Sequence, residues 1–328
     1  MTVNSFKQYG IWSWGHVIYD YRGFLDNMKR LGMNSVIIWN DIVPLNSEDV
    51  LDYAHSLGIK VIWGFAWGWV DKCGENVKSI DAEVLQKLSD DIADTFAGDY
   101  QRISPDGIYF QSFTELGSDS INGVSVAEAV TELVNKTAAR IFEKSPSTEI
   151  LFGLHATSVK DHLDTIAKVD PRIRIIWEDC GAFPFAYDPL CTDGFDETKG
   201  FADKCLHLRG EDEKSGFIIK GMTTLDWSCF EYHTEPYTVG EASRELIEAK
   251  KAEVAPKWEK LTEGWKKNYG FCRDIIRQIA DSGSDVYLYG LVEDGLFETE
   301  IPKPAALLSA IIRDPNLTDS EAAEIIMK

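Results

Sequence analysis

What most constrains this chain is a rhythm. Short runs rich in Val, Ile, Phe, Tyr and Trp recur along it, separated by longer segments whose apolar residues fall at three-and-four spacing. The runs are Gly10–Trp14, Ser35–Trp39, Lys60–Phe65, Gly107–Phe110, Ile150–Leu154, Ile173–Trp177, Gly216–Ile219 and Asp285–Leu291. Between them lie helix patterns. Tyr21–Leu31 is stopped by Gly32, and a segment opened by Ser47 carries acids in its first turn and ends at Gly58. Others are Ala82–Phe96, Val126–Lys144, Lys160–Lys168, Asp196–Leu208 and Lys303–Arg313. Strand and helix units joined by right-handed crossovers cover both faces of a parallel sheet, and eight of them predict closure into a (β/α)8 TIM barrel.

The stretch Ser228–Ser284 breaks the rhythm, being too long for one crossover helix. It reads as two helices, Glu241–Val254 and Trp258–Ala280, parted near Pro256, so an elaborated helical connection is expected between strands seven and eight. No Gly/Ser-rich or Pro-rich linker divides the chain, and residues 1–328 are expected to form one catalytic domain.

Charge narrows the partners. With 33 Lys plus Arg against 54 Asp plus Glu, the net charge of −21 opposes nucleic acid and anionic membrane surfaces. A neutral substrate suits that field, and an acidic one would need a local basic group. The start, MTVNSFKQYG, lacks the regions of a signal peptide, and no apolar run is long enough to span a bilayer, so a cytoplasmic protein is expected. The six cysteines are scattered without a CxxC, which argues against a zinc knuckle or a redox pair and predicts reduced, mostly structural thiols; no cofactor and no metal are expected.

In barrels of this kind the chemistry sits where strands run into helices. GIYFQSFTEL, residues 107–116, shows the pattern: an apolar run passes without a turn signal into Gln111, Ser112, Thr114 and Glu115. Comparable endings carry Trp14 and His16, Trp39 and Asn40, Trp67 and Trp69, His155, Glu178 and Asp179, Asp226 and Trp227, and Glu293 and Asp294. Indole faces stack on sugar rings while Asn, Gln and His satisfy ring hydroxyls, so an oligosaccharide is the expected partner. Trp12, Trp63 and Trp177 are expected to pack the core. Trp14, His16, Trp39, Asn40, Trp67, Trp69, Gln111, His155, Lys220 and Trp227 are the candidate substrate contacts.

Cleaving a glycosidic bond takes a carboxyl group to protonate the leaving oxygen and a carboxylate to attack or to activate water. Glu115, following a strongly apolar run, is the expected acid, partly desolvated. Its partner is Glu178 or Asp179, of which strand alternation turns only one inward, with Asp226 on the next strand as a further candidate. Lys220 has three readings: binding a substrate carboxylate, balancing one of the acids, or snorkelling outward.

The stretch YRGFLDNMKRLGMNSVIIWNDIVPLNSEDVLDYAHSLGIKVIWGFAW resembles glycoside hydrolase barrels, most nearly the catalytic barrel of the α-glucuronidases, which remove uronic acid from xylan-derived oligosaccharides. The matching residues are Leu31-Gly32-Met33-Asn34 at a helix end, Asn40 at a strand tip, and Gly58-Ile59-Lys60-Val61 entering the next strand. Thr114-Glu115 resembles that family's strand-four motif, a small hydroxylated residue before the acid. The resemblance implies glycosidase activity with Glu115 as acid. Two other classes share the fold: a sugar isomerase or aldolase, with His155, Glu115, Glu178 and Asp179 around a divalent metal, and a non-catalytic carbohydrate-binding barrel.

Overall fold

A computed structural model of the chain describes residues 6–40, 42–68, 79–178, 194–210, 214–222, 235–282, 285–293 and 297–327. Eight parallel strands close into a barrel: β1 (Gln8–Trp14), β2 (Ser35–Trp39), β3 (Lys60–Gly64), β4 (Gly107–Gln111), β5 (Glu149–Leu154), β6 (Arg174–Trp177), β7 (Lys214–Met222) and β8 (Asp285–Val292). Each pairs with its neighbours in sequence, and β8 returns to β1. All eight expected strands are present, with ends displaced by a few residues.

Alternation along the strands separates two cores. Trp12, Trp14, Ile37, Trp39, Ile62, Tyr109, Leu151, Ile176, Ile218 and Leu291 fill the barrel interior. Ile11, Ile38, Trp63, Phe110, Phe152, Trp177 and Phe217 point outward into the larger layer beneath the helices. That layer is closed by α1 (Tyr21–Arg30), α2 (Ser47–Ser56), α3 (Ala82–Thr95), α4 (Val126–Lys144), α5 (Leu163–Ile166), α6 (Phe195–Leu206), α7 (Arg244–Asp281), α8 (Lys303–Arg313) and α9 (Asp319–Met327). Local chemistry sets several of their ends. Asp20 caps α1 by accepting from the Arg22 and Gly23 amides, and Asp81 does the same for α3. Gly32 and Gly58, both at φ +74°, take the left-handed position that ends α1 and α2.

Two helix expectations are corrected. Lys160–Lys168 is not a helix throughout: only Leu163–Ile166 is α-helical. The amides of Val159, His162, Thr165, Lys168 and Val169 each bond the carbonyl three residues back, so the segment is largely a run of tight turns. The two helices expected around Pro256 are one, α7, 38 residues long with Pro256 inside it. Proline removes the bond to the Ala252 carbonyl, but both residues are exposed, so water can satisfy that carbonyl. Buried Val254, Leu261 and Trp265 hold the helix across the break.

The connection leading into α7 reaches past β8. The Leu45 amide donates to the Tyr237 carbonyl at 2.8 Å, Asn46 and Val239 exchange two bonds of 2.9 Å, and the Tyr21 amide donates to the Gly240 carbonyl at 3.1 Å. Residues 237–241 thus strap across the starts of α1 and α2 on the side where the strands end. Among the described residues no helix is long and apolar enough to cross a membrane.

Candidate active site

The inward positions at the strand ends converge on one cavity of about 70 Å³, lined by Trp12, Trp14, Gln111, Glu115, His155, Glu178, Ile218, Lys220, Leu291 and Glu293. Alternation explains the set. Ile176 and Ile218 face the interior, so Glu178 and Lys220 two residues on do the same. The volume admits a few water-sized groups, such as the hydroxyl-bearing edge of a sugar ring.

Glu178 is the centre of the cluster, 2% exposed. Its Oε1 accepts the Tyr109 hydroxyl, its Oε2 accepts from Gln111 Nε2 at 2.6 Å, and His155 Nε2 lies 2.5 Å from Oε2. Gln111 Nε2 is also 3.4 Å from His155 Nε2. A glycine makes the meeting possible: a Cβ at Gly153, on the strand between β4 and β6, would overlap both the Tyr109 hydroxyl and Glu178 Oε1.

Burial by itself would push the Glu178 pKa up. The His155 imidazole, through charge and hydrogen bond, the Lys220 ammonium and the Tyr109 hydroxyl outweigh it, and hold the carboxyl below the ordinary glutamate range. Glu178 is therefore an ionised carboxylate at neutral pH. Of the three readings of Lys220, its place on the cavity wall and its pull on Glu178 favour balancing an acid and exclude snorkelling outward.

Glu115 lies in a 3-10 turn, Phe113–Glu115, directly after β4. It lines the cavity but is exposed, so the partial desolvation expected of it is absent. Glu293, directly after β8, is 5% exposed and accepts from Trp14 Nε1 at 2.9 Å. Its position among the strand ends was legible, but it was not ranked among the site residues. Tyr109 was missed as well, although it stands two residues before Gln111 and so on the same inward face.

Several expected contacts lie elsewhere. Trp67 is 0% exposed and stacks on Phe110 with centroids 3.7 Å apart, which places it in the outer layer and not at the mouth. Trp39 is buried inside the barrel against Trp12, Trp14 and Tyr109, beneath the cavity wall. Asn40 is 3% exposed, accepting the Tyr237 hydroxyl and donating to the Ile38 carbonyl at 3.2 Å, so the strap occupies it. His16, half-buried in the turn after β1, packs its ring 5.9 Å from that of Trp14 without lining the cavity. Trp12, expected only to pack, forms part of the cavity wall. Trp69, Asp179, Asp226 and Trp227 lie outside the described residues. Among the described residues no group of three or more His, Cys, Asp or Glu is placed to hold a metal ion.

No protein-family model matches the chain, and no curated protein matches it in sequence. Solved structures match it along nearly its whole length. A Bacteroidetes-affiliated GH5 cellulase linked with a polysaccharide utilization locus aligns at TM-score 0.60 and 11% identity, over 99% of this chain and 96% of that one. A GH5-4 broad-specificity endoglucanase from Bacteroides salanitronis aligns at 0.55 and 12%, over 90% and 86%. A GH18 chitinase from Pseudoalteromonas aurantia aligns at 0.52 and 12%, over 93% and 98%. At such identity the likeness is one of fold: the chain is a (β/α)8 barrel, an architecture it shares with these glycoside hydrolases.

Proposed function

We propose that the chain, residues 1–328 acting as one catalytic unit, is a glycoside hydrolase that cleaves an oligosaccharide by paired carboxylates. The observation that carries this reading is Glu178: a buried, ionised carboxylate held by Tyr109, Gln111 and His155 in a cavity that Glu115 also lines. A carboxylate fixed in that state suits attack on the anomeric carbon or activation of water. Glu115, on the wall of the same cavity, supplies the second carboxyl group, the one that would protonate the leaving oxygen. The net charge of −21 favours a neutral glycan. A second reading, release of a uronic acid as in the α-glucuronidases, draws on Lys220, the lysine among the described residues on the cavity wall.

The test is leaving-group dependence. Glu115→Gln is expected to lower turnover of a natural oligosaccharide by about two to four orders of magnitude while sparing an aryl glycoside whose phenolate leaves without protonation. Equal slowing of both substrates removes Glu115 from the acid role.

A further inference from the structure

Glu293 is a buried acid on the cavity wall, held by a hydrogen bond from a tryptophan. It follows β8 at an inward position, is 5% exposed, and the register that sets Ser13 opposite Val292 brings it beside Trp14. The Trp14 indole donates to its Oε1 at 2.9 Å and so orients the carboxylate, and both residues line the cavity. One inward step below, the same face of β8 carries the apolar Leu291.

Gln111, Glu178 and Glu293 stand at the ends of β4, β6 and β8, so alternate strands present an amide and two carboxylates around a space sized for hydroxyl groups. Carboxylates accept hydrogen bonds strongly from hydroxyls and repel other carboxylates. We propose that Glu293, oriented by Trp14, is a specificity-determining residue that accepts hydrogen bonds from adjacent hydroxyls of a neutral sugar ring and disfavours a ring bearing a carboxylate. This rests on the sugar-binding part of the proposed function and deepens it by naming the substrate class.

Binding separates this inference from the hydrolase reading, since it needs no turnover. Methyl glycosides of neutral hexoses and pentoses, their deoxy analogues and the matching methyl uronate would be titrated into the full chain and into Glu293→Gln, followed by ligand NMR and calorimetry. For the neutral glycoside that binds best, Glu293→Gln is expected to weaken affinity about tenfold to a hundredfold, the range for a hydrogen bond to a charged group. The analogue lacking the contacted hydroxyl should bind the wild type and the variant alike, and the uronate should gain on the neutral ring in the variant. Trp14→Phe, which keeps the carboxylate but frees it, should show the same pattern weakly. Equal losses for the parent and every deoxy analogue, a uronate that binds the wild type more tightly than the neutral ring, or no glycoside binding at all would overturn the proposal. The expected binding pattern without turnover of any glycoside would uphold Glu293 and remove the hydrolase reading.

Discussion

The barrel buries charge at both of its ends, and the two ends are built differently. At the floor, where strands begin, Arg174 is 1% exposed and lies 3.4 Å over the Tyr287 ring. Its guanidinium donates to the Ser215 carbonyl at 2.9 Å, the Asp285 carbonyl at 2.6 Å and Asp285 Oδ1 at 3.0 Å. Tyr287 bonds Glu149 at 2.5 Å, and Lys7 bonds Asp285 at 2.8 Å. At the mouth, the donors to the Glu178 carboxylate among the described residues are side chains, and the cluster opens on a cavity. Burial of a charge therefore does not mark a site by itself. A charge tied to backbone carbonyls and stacked on a ring is a fastening, whereas one ringed by side chains beside open space is available for chemistry.

The largest expected effect is at the mouth. Glu178→Gln should lower turnover of any glycoside the protein cleaves, counted per folded molecule, by about three to five orders of magnitude, beyond the loss of the stability that the ionised carboxylate contributes, read from the urea midpoint. The comparison breaks if stability falls as far as activity. At the floor the outcome should reverse. Arg174→Met leaves Glu149 and Asp285 without their buried partner and should cost about 3 kcal/mol by urea unfolding, the low end for a broken buried pair because both acids keep some contact with water. Turnover by the folded fraction should be unchanged, and a matching loss of kcat would join the two ends functionally.

The smallest effect is a shift in pH dependence. The folded-state pKa of Glu178 lies below the ordinary value of 4.5, so its ionised form, and the stability it contributes, persist above that value and are lost as pH falls through the lowered one. The acid limb of kcat/KM should then lie below pH 4.5. His155→Asn removes the largest counterweight to burial and should move that limb to higher pH. An unmoved limb would assign it to another group. Asp285 gives the floor's counterpart: burial would raise its pKa, but Lys7 and Arg174 lower it, so acid should weaken the fold there independently of activity.

The fold was legible because period-two alternation and glycine-stopped helices leave strong local signals. Within strands the alternation holds, with Ile176 inward, Trp177 outward and Glu178 on the cavity wall, although the sequence alone leaves Glu178 and Asp179 both open as the partner of Glu115. It also carried a warning about Trp67, which shares the outward parity of Trp63 and Phe65, while Ala66 packs against the inner core. Past the strand end the rule lapses. Glu115 sits in a 3-10 turn, where alternation no longer governs direction, so its exposure could not be read. Asn40 was misjudged because Tyr237, its partner, is 197 residues away. Pro256 misled because a local helix breaker was overridden by apolar anchors on either side of it.

The strap at 237–241 gives the molecule a division of labour. Lying after the seventh strand in sequence, it fastens to the tip of the second strand and the starts of the first two helices through Tyr237, Val239 and Gly240. The tip of β2 is thus held by chain that takes no part in the pairing of the eight barrel strands. Because Tyr237 holds Asn40 at the tip of β2, a change there acts on the end of a strand without touching the pairing that closes the barrel, just as a change at the floor acts far from that tip.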